Sequence, residues 1–127
     1  FSNVEVPAND YIYVFVEATV DPNNTNNPFV IFDEIDSGVS GEIALKMGTI
    51  IKIFSESTQI INITHLPQIA AKGDAHFQVY KFEEKGKTFT SIKQLNDEER
   101  LNELAQMVGG EKPTENTLKT ALELLRN

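Results

Sequence analysis

The sequence predicts an α/β fold with a mainly parallel sheet, a hairpin and two C-terminal helices. Two short apolar runs, residues 29–33 and 59–64, are rich in residue types that suit strands buried on both faces of a parallel sheet. Residues 41–55 lie between these runs and carry apolar side chains at helical spacing. A charged turn between two further strand-like runs predicts the hairpin, and two amphipathic stretches complete the chain.

The first strand-like segment spans residues 11–20, where an aliphatic face alternates with a mixed face. Residues 21–28 follow as a predicted loop, because they are rich in asparagine and are bracketed by prolines. We expect a single domain over residues 1–127, in which residues 1–27 receive no assignment beyond this strand and loop.

The next strand ends abruptly in two adjacent carboxylates, Asp33 and Glu34. Ligands of parallel sheets bind beyond the carboxyl ends of the strands. An acid there can hold a magnesium ion that bridges nucleotide phosphates, while its neighbour orients or deprotonates an attacking water. The alternative is structural, since many buried strands end in an acid where the chain meets water. The polar loop at residues 36–41 and the histidine after the next strand favour a nucleotide site.

The helix predicted over residues 41–55 leads to the strand at residues 59–64, which is followed by His65. Strand–helix–strand crossovers are right-handed in nearly all parallel sheets, so we expect Glu34 and His65 at the same edge. Alternatively, a lone histidine after a β-branched strand is often a polar group bonded to the backbone. The predicted inward residues of the helix are Ile43, Met47, Ile50, Ile51 and Phe54.

The predicted hairpin pairs residues 75–82 with residues 88–95 across a charged turn. Apolar residues alternate around His76, which predicts that this histidine faces solvent, and we assign it no chemistry.

Two helices are predicted in the C-terminal tail. Asn96, with Glu99 three residues later, predicts an N-terminal cap, and Gly109-Gly110 ends the first helix. Pro113-Thr114 opens the second. The predicted inward residues are Leu101, Leu104, Ala105 and Val108 in the first helix and Leu118, Ala121, Leu122 and Leu125 in the second.

The composition limits the classes of function. A chain of 127 residues that is 40% hydrophobic can bury one core. Without cysteine it has neither disulfides nor thiolate metal sites. A formal net charge of −8 without a basic run makes it a poor DNA-binding surface by itself. No apolar run approaches the ~20 residues of a membrane helix and no secretion signal is evident, so we expect a soluble, cytoplasmic location.

Three segments carry a resemblance to a known family. They are residues 30–41 (VIFDEIDSGVSG), residues 63–71 (ITHLPQIAA) and residues 104–110 (LAQMVGG). These segments resemble the C-terminal part of the RecN family of bacterial DNA repair ATPases, within the wider group of ABC-type ATPase heads of SMC-like proteins. The resemblance covers about residues 28–127. It implies a partial P-loop ATPase head with ATP as substrate and Mg²⁺ as cofactor.

The resemblance also implies roles for individual residues. Residues 30–34 resemble a Walker B motif, in which Asp33 holds Mg²⁺ and Glu34 is the general base or positions the water. His65 resembles the switch histidine that contacts the γ-phosphate. Residues 36–40 resemble the D-loop, the segment that in ABC-type dimers reaches toward the partner's phosphate-binding loop. The implied nucleotide-binding residues of this loop are Asp36, Ser37 and Gly38, and Gln68 has at most a supporting role.

Two motifs of the family do not occur in the sequence. No segment fits G-x-x-x-x-G-K-[ST], the glycine-rich loop that cradles phosphates. Residues 86–88 supply GKT, but Lys81 stands where the first glycine is required, and the segment matches the predicted hairpin turn. A signature sequence of the Ser-Gly-Gly-Glu type is missing before residues 30–34, and VSGE at residues 39–42 lies on the wrong side.

The resemblance therefore implies the C-terminal portion of a head that acts in DNA double-strand break repair and recombination, in a nucleoid-associated bacterial protein. The implied partners are the N-terminal half of the head, a second copy through ATP-sandwiched heads, and DNA through the full assembly, with no membrane contact. Alone, the chain is expected to be inactive. Two alternatives stay open: a non-catalytic interaction module that completes another head, and an ABC transporter-type nucleotide-binding fragment. The transporter alternative is weakened because Ile35, and not proline, follows Glu34.

Overall fold

The structure, a computed structural model, describes residues 12–17 and 29–127 and confirms the α/β class. Its strands are β1 (Ile12–Glu17), β2 (Phe29–Asp33), β3 (Gln59–Thr64), β4 (Ala75–Glu84) and β5 (Lys87–Gln94). Its helices are α1 (Gly41–Ser55), α2 (Pro67–Ala70), α3 (Asp97–Gly109) and α4 (Glu115–Arg126). The predicted loop at residues 21–28 and both ends of the predicted first strand lie outside the described residues. Among the described helices, none combines the length and apolarity needed to cross a membrane.

The described strands form one sheet in the order β2-β3-β1-β4-β5. Strands β2 and β3 are parallel, whereas the β1–β3, β1–β4 and β4–β5 pairings are antiparallel. The prediction of a mainly parallel sheet is therefore wrong. Parallel neighbours need a crossover of about a dozen residues or more, and among the described pairs only β2 and β3 are linked in this way, by α1. Strands β4 and β5 are joined by a tight turn in which Lys85 and Gly86 both have positive φ, 50° and 73°, which confirms the predicted hairpin.

Helices α1 and α2 cover one face of β3. Ile60 of β3 packs with Ile51 of α1 and Ile69 of α2 in a buried cluster. The two helices approach closely because Gly48 has no side chain: a Cβ at this position would lie 3.1 Å from the carbonyl oxygen of Gln68. This packing fixes α1, which follows the loop after β2, against α2, which follows β3.

The predicted inward face of α1 is only partly right. Met47 and Ile51 do pack in the core. Three other predicted residues are largely exposed: Ile43 (66%), Ile50 (54%) and Phe54 (58%). The other buried residues of α1 are small: Ala44, Gly48 and Ser55. Helix α1 has more large apolar residues than its buried face can accommodate. Because α1 and α2 lie close together, only small side chains fit between them.

Helices α3 and α4 form a second core with α2. The predicted cap of α3 is confirmed, since the Asn96 side chain accepts from the Glu99 N–H at 2.9 Å and the Glu99 carboxylate accepts from the Asn96 N–H at 3.0 Å. The helix ends at Gly109, as predicted. Val108 and Leu122, predicted to face inward, are 37% and 36% exposed. Met107 and Leu124 pack in this core instead. On each helix the apolar face is wider than the surface that contacts the neighbouring helices, so some apolar residues stay partly exposed.

The contact between Gly109 and Thr117 yields a prediction about stability. A Cβ at Gly109 would overlap Cγ2 of Thr117. Thr117 is held in place because its Oγ1 accepts the backbone N–H of Thr114 at 2.8 Å in the α4 cap. We expect Gly109→Ala to lower the free energy of unfolding, measured with urea, by about 1–3 kcal/mol, the usual cost of overpacking.

Thr117→Ser provides the matched rescue, because serine lacks Cγ2 and keeps the hydroxyl that the cap requires. The double variant Gly109→Ala/Thr117→Ser should regain most of the stability that Gly109→Ala loses relative to Thr117→Ser alone. A Gly109→Ala variant as stable as the wild type would contradict the contact.

Candidate nucleotide site

The carboxyl ends of β2 and β3 lie side by side. Asp33 is in register with Ile63, and the backbone N–H of Glu34 donates to the carbonyl of Ile63 at 2.9 Å. His65 comes directly after Thr64, the last residue of β3. The parallel register therefore brings the acidic pair and His65 to one edge of the sheet.

Glu34 has an unusual backbone conformation. Its φ of 51° lies in the left-handed region, which residues other than glycine seldom adopt. The loop that follows closes back on Glu34: the backbone N–H and the hydroxyl of Ser37 both donate to its carbonyl oxygen, at 3.2 and 3.0 Å. The chain thus turns sharply directly after Asp33. Strained backbone conformations of this kind often occur at functional sites.

Asp33, Glu34 and His65 are all exposed to solvent. Within the described ranges, none of them belongs to an ion pair. An exposed carboxylate fits Mg²⁺, which binds one or two protein carboxylates and takes its other ligands from water and phosphate. No group of three or more His, Asp or Glu side chains that could hold a metal occurs among the described residues. Asp33 would therefore supply a minority of the ligands of a bound magnesium ion.

The residues after Glu34 divide into buried and exposed ones. Ser37 and Gly38 are exposed, and Gly38 has a φ of 82° that favours glycine. Asp36 is only 1% exposed, and its carboxylate accepts a hydrogen bond from the hydroxyl of Thr64. Gln68 lies on α2, and within the described part of the chain its buried Oε1 has no donor.

Thr64 is a residue to which the sequence analysis gave no role. The available signal was its position: Ile60, Asn62 and Thr64 alternate along β3 and are buried on its helix-covered face. A hydroxyl at an inward strand position requires a hydrogen-bond partner. The alternation therefore indicated a polar partner, although not which one.

His76 is buried, at 1% exposure, so the prediction that it faces solvent is wrong. The alternation in β4 separated two faces without showing which one α3 covers. Gln78, on the same face as His76, donates to Glu103 of α3 at 2.8 Å. Burial, with a smaller contribution from the positive charge of Arg100, lowers the pKa of His76 to about 3.

The fold and the strand ends define an α/β protein whose candidate site lies at the carboxyl edge of two parallel strands. No family model matches the chain. Curated relatives do, and the chain is 47% identical over 103 residues to the DNA repair protein RecN of Rickettsia bellii, covering 81% of this chain and 19% of the relative. The RecN proteins of Vibrio cholerae and Halalkalibacterium halodurans are 44% identical over 100 residues and 41% identical over 107 residues. These two matches cover 79% and 84% of this chain and 18% and 19% of the relatives.

The chain belongs to the RecN family, and the matched region is the C-terminal part of the relatives. The chain spans only 18–19% of the length of these relatives. The resemblance inferred from the three sequence segments is thereby confirmed.

Proposed function

We propose that this chain is the C-terminal portion of an ATPase head that acts in DNA double-strand break repair and recombination. One observation carries the proposal: the parallel register of β2 and β3 brings the Asp33–Glu34 pair and His65 to the same edge of the sheet. Relatives that share this stretch are DNA repair proteins. ATP is the proposed substrate and Mg²⁺ the proposed cofactor.

The exposed residues at this edge have separate roles. Asp33 binds the magnesium ion, which when bound neutralises phosphate charge. Glu34 orients or deprotonates the attacking water. His65 contacts the γ-phosphate, and the loop that begins at Asp36, through Ser37 and Gly38, reaches toward the nucleotide of a partner head.

An exposed apolar face of α1 supports a protein partner within the head. Its four residues are 54–66% exposed. They are Ile43, Ile50, Ile53 and Phe54. Large exposed apolar patches mark interaction sites. We assign this surface to the N-terminal half of the head; a second copy would join through ATP-sandwiched heads, and DNA would be engaged by the full assembly.

The same surface favours one alternative, a non-catalytic module that completes another head without taking part in hydrolysis. The two functions differ in whether ATP turnover depends on the residues at the strand ends.

The test is ATP hydrolysis by a full-length RecN-family protein that contains this segment, compared with residues 1–127 alone. We expect turnover that requires Mg²⁺ in the full-length protein and no turnover in the isolated chain, because one edge of a sheet cannot surround a triphosphate. In the full-length protein, Asp33→Ala should raise the Mg²⁺ concentration needed for half-maximal turnover. Turnover by the isolated chain would contradict the partial site, and turnover that is indifferent to Asp33→Ala would favour the interaction module.

A further inference from the structure

The carboxylate of Asp36 and the hydroxyl of Thr64 form a buried pair beneath the candidate site. Asp36 is 1% exposed and Thr64 is 2% exposed. The Thr64 hydroxyl donates to Oδ2 of Asp36, across 28 positions of sequence. A buried carboxylate strongly favours such a contact, because an unsatisfied charged group in the protein interior is costly.

The hydroxyl of Thr64 is also bonded to the residue after His65. Its Oγ1 accepts the backbone N–H of Leu66 at 3.1 Å. A hydroxyl has one proton to donate and lone pairs to accept with, so both bonds can exist together only if the proton points to Asp36. The two bonds of Thr64 thus enclose the backbone of His65 and orient it relative to Asp36.

Asp36 belongs to the loop that also holds Glu34. The backbone N–H of Val39 donates to the carbonyl of Asp36 at 3.0 Å, while Ser37 bonds to the carbonyl of Glu34. Within the described residues, no donor reaches the second carboxylate oxygen, Oδ1, so Thr64 is the described anchor of this side chain. A displacement of the loop would therefore act on Thr64 and, through it, on His65.

We propose that Asp36 and Thr64 are positioning residues: their hydrogen bond couples the loop after Glu34 to the backbone of His65, so that the water-activating acid and the phosphate-contacting histidine are aligned together. This inference rests on the proposed function, since it concerns how the same site is held. Neither residue touches the substrate in this role.

Thr64→Val tests the link, because valine keeps the shape of threonine and removes the hydroxyl. In the full-length protein we expect kcat for ATP to fall about 10-fold, because a small misplacement of reacting groups slows the chemical step. KM should change less than about threefold, since ATP contacts are retained. Thr64→Ser keeps the hydroxyl and should restore most of kcat.

The partner variant is Asp36→Ala. If the two residues act as a unit, the double variant Asp36→Ala/Thr64→Val should lower kcat no further than the more severe single variant. Hydrogen exchange gives a readout that does not depend on turnover. The Leu66 amide should exchange about 10-fold faster in Thr64→Val and in Asp36→Ala, because the anchored amide opens more easily.

The outcomes separate this inference from the proposed function. Turnover that requires Glu34 but is unchanged by Thr64→Val overturns the inference and leaves the proposed function intact. A loss as large in Thr64→Ser as in Thr64→Val also overturns it, because packing rather than the hydroxyl would be responsible. If the wild type shows no Glu34-dependent turnover, the proposed function fails. Faster exchange at Leu66 in Asp36→Ala then still supports the coupling, and unchanged exchange overturns it.

Discussion

Glu34→Gln in the full-length protein should lower the turnover of ATP by at least about 100-fold, the contribution expected of a general base. Glutamine keeps the size and hydrogen-bonding reach of the side chain but cannot take a proton from water. Because the exposed side chain of Glu34 is not part of the core, the variant should stay folded. Asp33, the proposed magnesium ligand, is unchanged, so binding of Mg-ATP should persist. The measurement is kcat under saturating ATP, together with the equilibrium affinity for the nucleotide.

The control for this prediction is Glu34→Gly, which exploits the left-handed backbone at this position. Left-handed conformations cost residues other than glycine about 1–2 kcal/mol, and a glycine here should leave stability unchanged or raise it. We therefore expect Glu34→Gly to be folded and as inactive as Glu34→Gln. If Glu34→Gln retained more than a tenth of wild-type turnover, Glu34 would not be the base.

Local patterns in the sequence were sufficient to predict several elements. Apolar spacing placed α1 at residues 41–55, where the structure has it. The Asn96–Glu99 pair predicted a cap because its two reciprocal hydrogen bonds need only residues of the same turn. The strand–helix–strand order placed Glu34 and His65 at one edge, since two strands joined by a helical crossover run parallel and their carboxyl ends lie on the same side.

Features that depend on distant packing could not be predicted in this way. The alternation in β1 contains no information about its direction, so its antiparallel pairing with β3 and β4 was not foreseen. His76 is buried in the fold and is affected by the charge of Arg100, a residue of α3 more than 20 positions away in the sequence. The hydrogen bond from Thr64 to Asp36 likewise joins two segments that only the folded chain brings together.

The face of α1 that the sequence pattern predicts to be buried differs most from the face that is buried in the structure. A helix that buries Ala44 and Gly48 and exposes Ile43 and Ile50 has its larger apolar face directed away from the described core. The side chains at the site edge are polar and exposed, whereas this face is apolar and exposed. The chain thus presents a polar, exposed edge at the strand ends and a separate apolar, exposed face on α1, and exposed apolar faces of this kind often mark interaction sites.

His76 should make the folded chain less stable in mildly acidic solution. Its pKa is lowered to about 3 in the folded state, chiefly by burial and secondarily by Arg100, whereas an unfolded histidine titrates near 6.5. Below that value the unfolded chain binds more protons than the folded one, so the free energy of unfolding falls as the pH falls. This loss begins near pH 6.5, continues toward pH 3 and amounts to about 2 kcal/mol at pH 5.

Urea unfolding of the wild type and of His76→Gln at pH 7.5 and pH 5 would measure this effect. Other groups also titrate in acid: a hydrogen bond from Lys93, first among several causes, lowers the pKa of Glu99. Such groups are common to both proteins, so the difference between the two pH dependences isolates His76. We expect the wild type to lose about 2 kcal/mol more than His76→Gln between these pH values. Equal losses in the two proteins would show that His76 is protonated as readily in the folded chain as in the unfolded one, and that its surroundings are open to water.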